Sequence, residues 1–181
     1  MTSATSPGFR RGVRIGVDVG TVRVGVARTD PDGVLAVPVA TLTRPKAARA
    51  PRSDLAALVD LVTEYEPLEV VLGLPVALDG TEGLAAAAVR AYAADLRAAL
   101  DAAGHDQAIR FVDERMSTVE ASRGLRAAGR DARSGRSVVD QAAAVIIVQH
   151  ALDAERSTGG PPGTVFQPEP DDLPDAVEDP A

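Results

Sequence analysis

The stretch "RIGVDVGTVRVGVA", residues 14–27, constrains the fold more than any other part of the chain. It reads as two β-strands, residues 13–19 and 22–28, folded back on each other at Gly20-Thr21. "DPDG", residues 30–33, signals a second turn and residues 34–42 a third strand, so the chain opens with an antiparallel meander. Pro38 has no N–H for the ladder, which sends the third strand to a sheet edge. Within the first strand Asp18 stands among Val, Ile and Gly. An isolated buried carboxylate costs several kcal/mol, so it protonates, pairs with a cation or binds a metal.

The pattern then becomes helical. Leu55, Leu58, Val59 and Val62 repeat at i, i+3, i+4 and i+7, predicting a helix over 53–64. "LEVVLGLP" reads as a buried strand, and residues 82–103 as a long Ala-rich helix ended by Gly104. "AIRFVDE" is a fifth strand. "STVE", residues 117–120, has the form of a capping box built on Ser117 and Glu120, predicting a helix over 118–128 that Gly129 ends. A last helix runs over 138–155. The order βββ-α-β-α-β-α-α predicts an α/β fold: a mixed five-stranded sheet, spatial order 3-2-1-4-5, with helices on both faces.

Composition excludes several chemistries. The 181 residues contain no Cys, hence no disulfide, thiolate nucleophile or zinc–thiolate site. No apolar run approaches the ~20 residues of a membrane span, and the N-terminus has no signal-peptide core, so a cytoplasmic, membrane-free protein is expected. The net charge is −7, but six acids and no base lie in 157–181, leaving −1 for the rest. That segment also holds six Pro and three Gly. It is expected to be a disordered acidic tail, with 1–11 a flexible N-terminal tail and 12–156 the folded domain. Within the domain, residues 115–136 carry six Arg against Glu120 and Asp131, and "RPKAARAPR", residues 44–52, carries four bases and no acid. Both runs read either as solvated faces or as phosphate-binding surface. With aromatics at 3%, any nucleic-acid contact is expected to be mainly to sugar and phosphate.

Three carboxylates are predicted to meet. Arg14, Gly16 and Asp18 share one face of the first strand, and Gly16 leaves room beside Asp18. A parallel fifth strand carries Asp113 and Glu114 to the same rim, where open α/β sheets bind ligands. Asp140 shares the face of the last helix that bears Ala143, Ala144, Ile147 and Ala151, and the helix start favours its ionised form. Individually these acids read as a salt-bridge partner, a surface acid and a helix-terminal charge. Converging on one rim, with no Cys and only two His, they read as an oxygen-ligand site for Mg²⁺ or Mn²⁺. Two such cations about 4 Å apart are the usual apparatus of phosphodiester hydrolysis.

"GVDVGTVRVGVA", "VVLGLPVALDGTEG", "DERMSTVEA" and "VDQAAAVIIVQ", in this order, resemble the YqgF (RuvX) family of pre-16S rRNA nucleases and Holliday junction resolvase homologues. The resemblance spans about residues 13–152. It implies an RNase H-like fold, with Asp18, Glu114 and Asp140 as catalytic and metal-holding triad. It implies hydrolysis of phosphodiester bonds in the 5′ end of precursor 16S rRNA, with branched DNA as the alternative substrate, by a monomer or homodimer. Where the family often has a Lys after "GT" and bases before the last Asp, this chain has Val22 and "GRSVVD", with Arg133 and Arg136 as replacements.

Candidates for substrate phosphate are Thr21, Arg23, Arg115, Arg126, Arg130, Arg133 and Arg136. Thr21 and Arg23 read equally as a turn residue and an exposed strand residue, or as support for Asp18. The "DGTEG" turn, residues 79–83, precedes a helix start that either binds an anion or is simply capped at Thr81. His105 and His150 have no second ligand at metal spacing. Two other classes compete: an actin-like ATPase, whose phosphate loop also uses Asp-Gly-Thr turns but in two facing domains, and a catalytically silent nucleic-acid-binding domain.

Overall fold

The computed structural model describes residues 8–45, 50–77, 79–113 and 135–168, the side chains of 135–139 excepted. The meander forms as the turn signals dictate: β1 (Arg14–Val19), β2 (Arg23–Thr29) and β3 (Ala36–Thr43) pair antiparallel, with Asp18 opposite Gly25. The β2–β3 register shifts between Val26 and Ala27, and Pro38 lies opposite Ala27 on an edge strand that needs no second ladder. After α1 (Ser53–Tyr65), β4 (Glu69–Leu74) returns parallel to β1; after α2 (Leu84–Ala102), β5 (Ala108–Asp113) returns parallel to β4. The last helix, α3 (Gly135–Thr158), leads into a two-residue strand, β6 (Thr164–Val165). The sheet order is 3-2-1-4-5, as the sequence predicts, with β6 added beyond β5.

Helices cover both faces. On one, Ile15, Val17, Val24, Val26, Val70 and Leu72 meet Leu55, Leu58 and Val62 of α1 and Ala86, Val89, Ala93, Leu96 and Leu100 of α2, all buried. On the other, α3 lays Ala144, Ile147, Val148 and Ala151 on Ala27 and Val71. This second layer is unusually close. A Cβ at Gly16 would lie 2.6 Å from the Val148 Cβ, and one at Gly25 2.0 Å from the Asp140 carbonyl oxygen. Glycine at these two strand positions is what lets α3 rest on backbone.

Three boundaries differ from expectation. α2 starts at Leu84, because Glu82 is drawn into a bridge with Val76 and a salt bridge with Arg90. α3 starts at Gly135, three residues before the expected start. The folded domain also extends past both expected ends. Phe9 packs under the guanidinium groups of Arg14 and Arg156, and Arg10 pairs with Glu69 and Glu155. Past residue 156, Gly163 turns the chain at φ 60° against the Phe111 carbonyl, β6 pairs with β5, and Phe166 meets Phe111 edge to face at 6.0 Å. The Pro and Gly content that reads as disorder here builds the turn onto the sheet edge. The capping box, the helix expected over 118–128 and residues 169–181 lie outside the described residues.

Candidate active site

The rim is assembled by the strand ends. β1, β4 and β5 are mutually parallel, so Asp18, Leu74 and Asp113 stand at one edge, and Asp113 ends β5 opposite Leu74. Because the start of α3 rests on Gly25, the cross-strand partner of Asp18, Asp140 is brought to Asp18. Glu114, the third expected carboxylate, follows Asp113 and lies outside the described residues, as do Arg115, Arg126, Arg130 and Arg133. Arg136 is in the first turn of α3, its side chain outside the described set.

Asp18 and Asp140 have different electrostatic settings. Burial, and then the charge of Asp140, push the Asp18 carboxyl up to about 6. Among the described residues no hydrogen bond or ion pair reaches the Asp18 carboxylate, so the expected salt-bridge explanation for it finds no partner there. The arginine goes to Asp140 instead: Arg23 Nε donates to its Oδ2 at 2.6 Å. The helix start is not what balances Asp140, since that effect fades within the first turn and Asp140 is the sixth residue of α3. Thr21 is exposed in the β1–β2 turn.

That turn is held from β3. Gly20 N–H donates to the Arg23 carbonyl, Arg44 N–H to the Val22 carbonyl, and Arg44 Nη1 to the Gly20 carbonyl at 2.8 Å. Arg44 lies over the Tyr92 ring, as does Arg52, which also pairs with Asp54 and Asp95. Two of the four bases in 44–52 are thus structural, and the other two, Lys46 and Arg49, lie outside the described residues. Nor does Thr81 cap α2: it bonds Asp79 through its N–H and hydroxyl, and Gly83 takes the cap position. His105 meets the Thr63 hydroxyl.

Sequence reasoning missed a second charged cluster at the opposite edge of the sheet. Arg14, the first residue of β1, is fully buried, with Nη2 2.6 Å from Glu155 and Nε 3.2 Å from Glu69. Arg10 bridges the same two acids and Arg110 bonds Glu69 at 2.7 Å. Burial pushes the Glu155 carboxyl up, but the hydrogen bonds of Arg10 and the charge of Arg14 hold it below the usual range. The available signal is Arg14 on the Gly16–Asp18 face of β1, the face on which α3, with Glu155 near its end, packs.

At the rim the chemistry of the donors fits a hard cation. Among the described residues Arg23 bonds Asp140 alone, burial and then the charge of Asp140 push the Asp18 carboxyl toward its neutral form, and the carboxylate ligand atoms are oxygen. Among the described residues no group of three or more His, Cys, Asp or Glu is gathered.

The sheet order and the meeting of Asp18 with Asp140 agree with what the sequence resemblance implies. The sequence model of the RuvX family, described as Holliday junction resolvase, matches residues 12–154. A protein of Streptomyces coelicolor named "Putative pre-16S rRNA nuclease" is 52% identical over 160 residues, covering 88% of this chain and 91% of that one. One of the same name from Streptomyces avermitilis is 53% identical over 156 residues, covering 86% and 95%. The chain belongs to the RuvX family. Among solved structures, that of T. thermophilus RuvC in complex with Holliday junction substrate aligns with a TM-score of 0.49 at 15% identity, over 83% of this chain and 99% of that one. At that distance it bears on neither site nor substrate.

Proposed function

We propose that the chain is a divalent-metal-dependent endonuclease that hydrolyses phosphodiester bonds at the 5′ end of precursor 16S rRNA in the cytoplasm. The observation that carries this reading is the meeting of Asp18 and Asp140 at the carboxyl edge of the parallel strands, where Arg23 pairs with Asp140. Asp18, Asp140 and Glu114 would hold Mg²⁺ or Mn²⁺. When bound, a pair of such ions activates water and stabilises the leaving oxygen. The chain's own part is to bring acids from β1, α3 and the end of β5 to one point, and to keep Asp18 poorly solvated so that it favours a cation strongly. Arg23 is placed to meet a backbone phosphate, with Thr21, Arg115, Arg126, Arg130, Arg133 and Arg136 the further candidates. The folded nuclease domain is residues 12–156 together with the segments that pack at its two ends.

Cleavage of a four-way DNA junction is the second reading, favoured by the family's description as Holliday junction resolvase. The same carboxylates would serve either substrate. The test is incubation of the full chain with a precursor 16S rRNA fragment and, separately, a four-way junction, each with Mg²⁺, Mn²⁺ or chelator. Metal-dependent shortening of the RNA at its 5′ side is expected. Cutting of the junction alone would overturn the RNA assignment, and cutting of neither would overturn the nuclease reading.

A further inference from the structure

Arg23 opens β2 and reaches across to α3, where its Nε bonds Oδ2 of Asp140 at 2.6 Å. The pair is more than an anchor for the helix. α3 is seated by backbone contact at Gly25 and Gly16, and its far end is locked by Arg10 and Arg14 on buried Glu155. The Arg23–Asp140 pair itself is partly exposed, 35% and 24%, a setting in which ion pairs add little stability. The contact is also single-pointed. Arg23 engages one carboxylate oxygen through Nε, and among the described residues nothing else bonds its terminal nitrogens or Oδ1 of Asp140.

We infer that Arg23 is a positioning residue for the metal site: it fixes the rotation of the Asp140 carboxylate through Oδ2 and leaves Oδ1 for a divalent cation shared with Asp18. This rests on the nuclease reading of the rim. A carboxylate free to rotate loses that freedom when it takes up a metal, and one already held by a neighbour has less to lose. Arginine suits the task because its planar group keeps its charge and holds a fixed direction.

The test is calorimetric titration of Mn²⁺ into the full chain without nucleic acid, comparing the parent with D18N, R23Q and R23K. D18N should lose binding, which establishes the site. R23Q should bind Mn²⁺ about tenfold more weakly or worse, while its melting curve in chelator stays near the parent's. R23K, with the charge but not the planar fork, should fall between. In cleavage assays saturating Mn²⁺ should bring the kcat of R23Q back toward the parent value, which a loss of folding would not permit. Equal or tighter Mn²⁺ binding by R23Q, with only a raised KM for nucleic acid, would make Arg23 a phosphate contact alone and overturn the inference. If R23Q does not fold, R23K decides it: binding equal to the parent's overturns the inference. A parent that binds no Mn²⁺ would bring down the reading of the rim itself, and this inference with it.

Discussion

Asp18 ionises at a cost. Its carboxyl is raised from 3.8 to about 6 by burial and by Asp140, so between those values the folded state holds a proton that the unfolded state has released. Stability of the metal-free protein therefore falls as pH rises through this window, by up to about 3 kcal/mol. Asn at this position carries no charge. In chelator at pH 7.5, urea denaturation should find D18N more stable than the parent, and at pH 3.5 the two should be nearly equal. A parent that is the more stable at pH 7.5 would mean Asp18 has a cationic partner. Arg14 is the opposite case, a buried cation with every neighbour satisfied. Arg14→Met should cost about 3 kcal/mol, because Glu155 then keeps only Arg10. A loss under 1 kcal/mol would show that Arg10 alone suffices.

At the scale of elements, the C-terminal edge shows how composition misleads. Six Pro and three Gly without a base read as a tail, yet Gly163 is the residue that allows the turn into β6, and Phe166 covers Phe111. A chain ending at Thr158 loses β6 and this aromatic contact. It should lose about 2 kcal/mol and melt several degrees lower. A chain ending at Pro168 keeps both and serves as the comparison, and equal melting of the two shortened chains would assign β6 no role in stability. The strands and α1 were legible because their period and turn residues agree. The start of α3 was not: "GRDARSGRS" has the polar, Gly-containing look of a loop, and Gly135 enters the helix only because the apolar face of α3 packs on the sheet.

Taken whole, the molecule is a sheet with charge concentrated at two opposite edges and one helix spanning them. At the amino-terminal edge the acids are fully paired with arginines and the cluster is structural. At the carboxyl-terminal edge Arg23 pairs with Asp140, and among the described residues no cation bonds the Asp18 carboxylate. Sequence reasoning reached the second edge through Asp18 and Asp140, whose setting among Val, Ala and Gly has no explanation in packing. It missed the first, because pairing across 141 residues between Arg14 and Glu155 leaves no local pattern. Support for Asp18 is one of the alternatives it leaves open for Arg23, whose contact is with Asp140, since strand periodicity says nothing about which helix residue lies opposite.

The central claim is that Asp18 and Asp140 jointly hold a divalent cation that hydrolyses nucleic acid. It is tested most directly by cleavage of a precursor 16S rRNA fragment with Mn²⁺, comparing the parent with D18N under conditions where both are shown to be folded. The account predicts metal-dependent cutting by the parent and a loss of about a thousandfold or more in D18N, since removing a metal ligand removes the charge stabilisation of the transition state. Cutting by D18N at the parent's rate, with the same product ends, would contradict it.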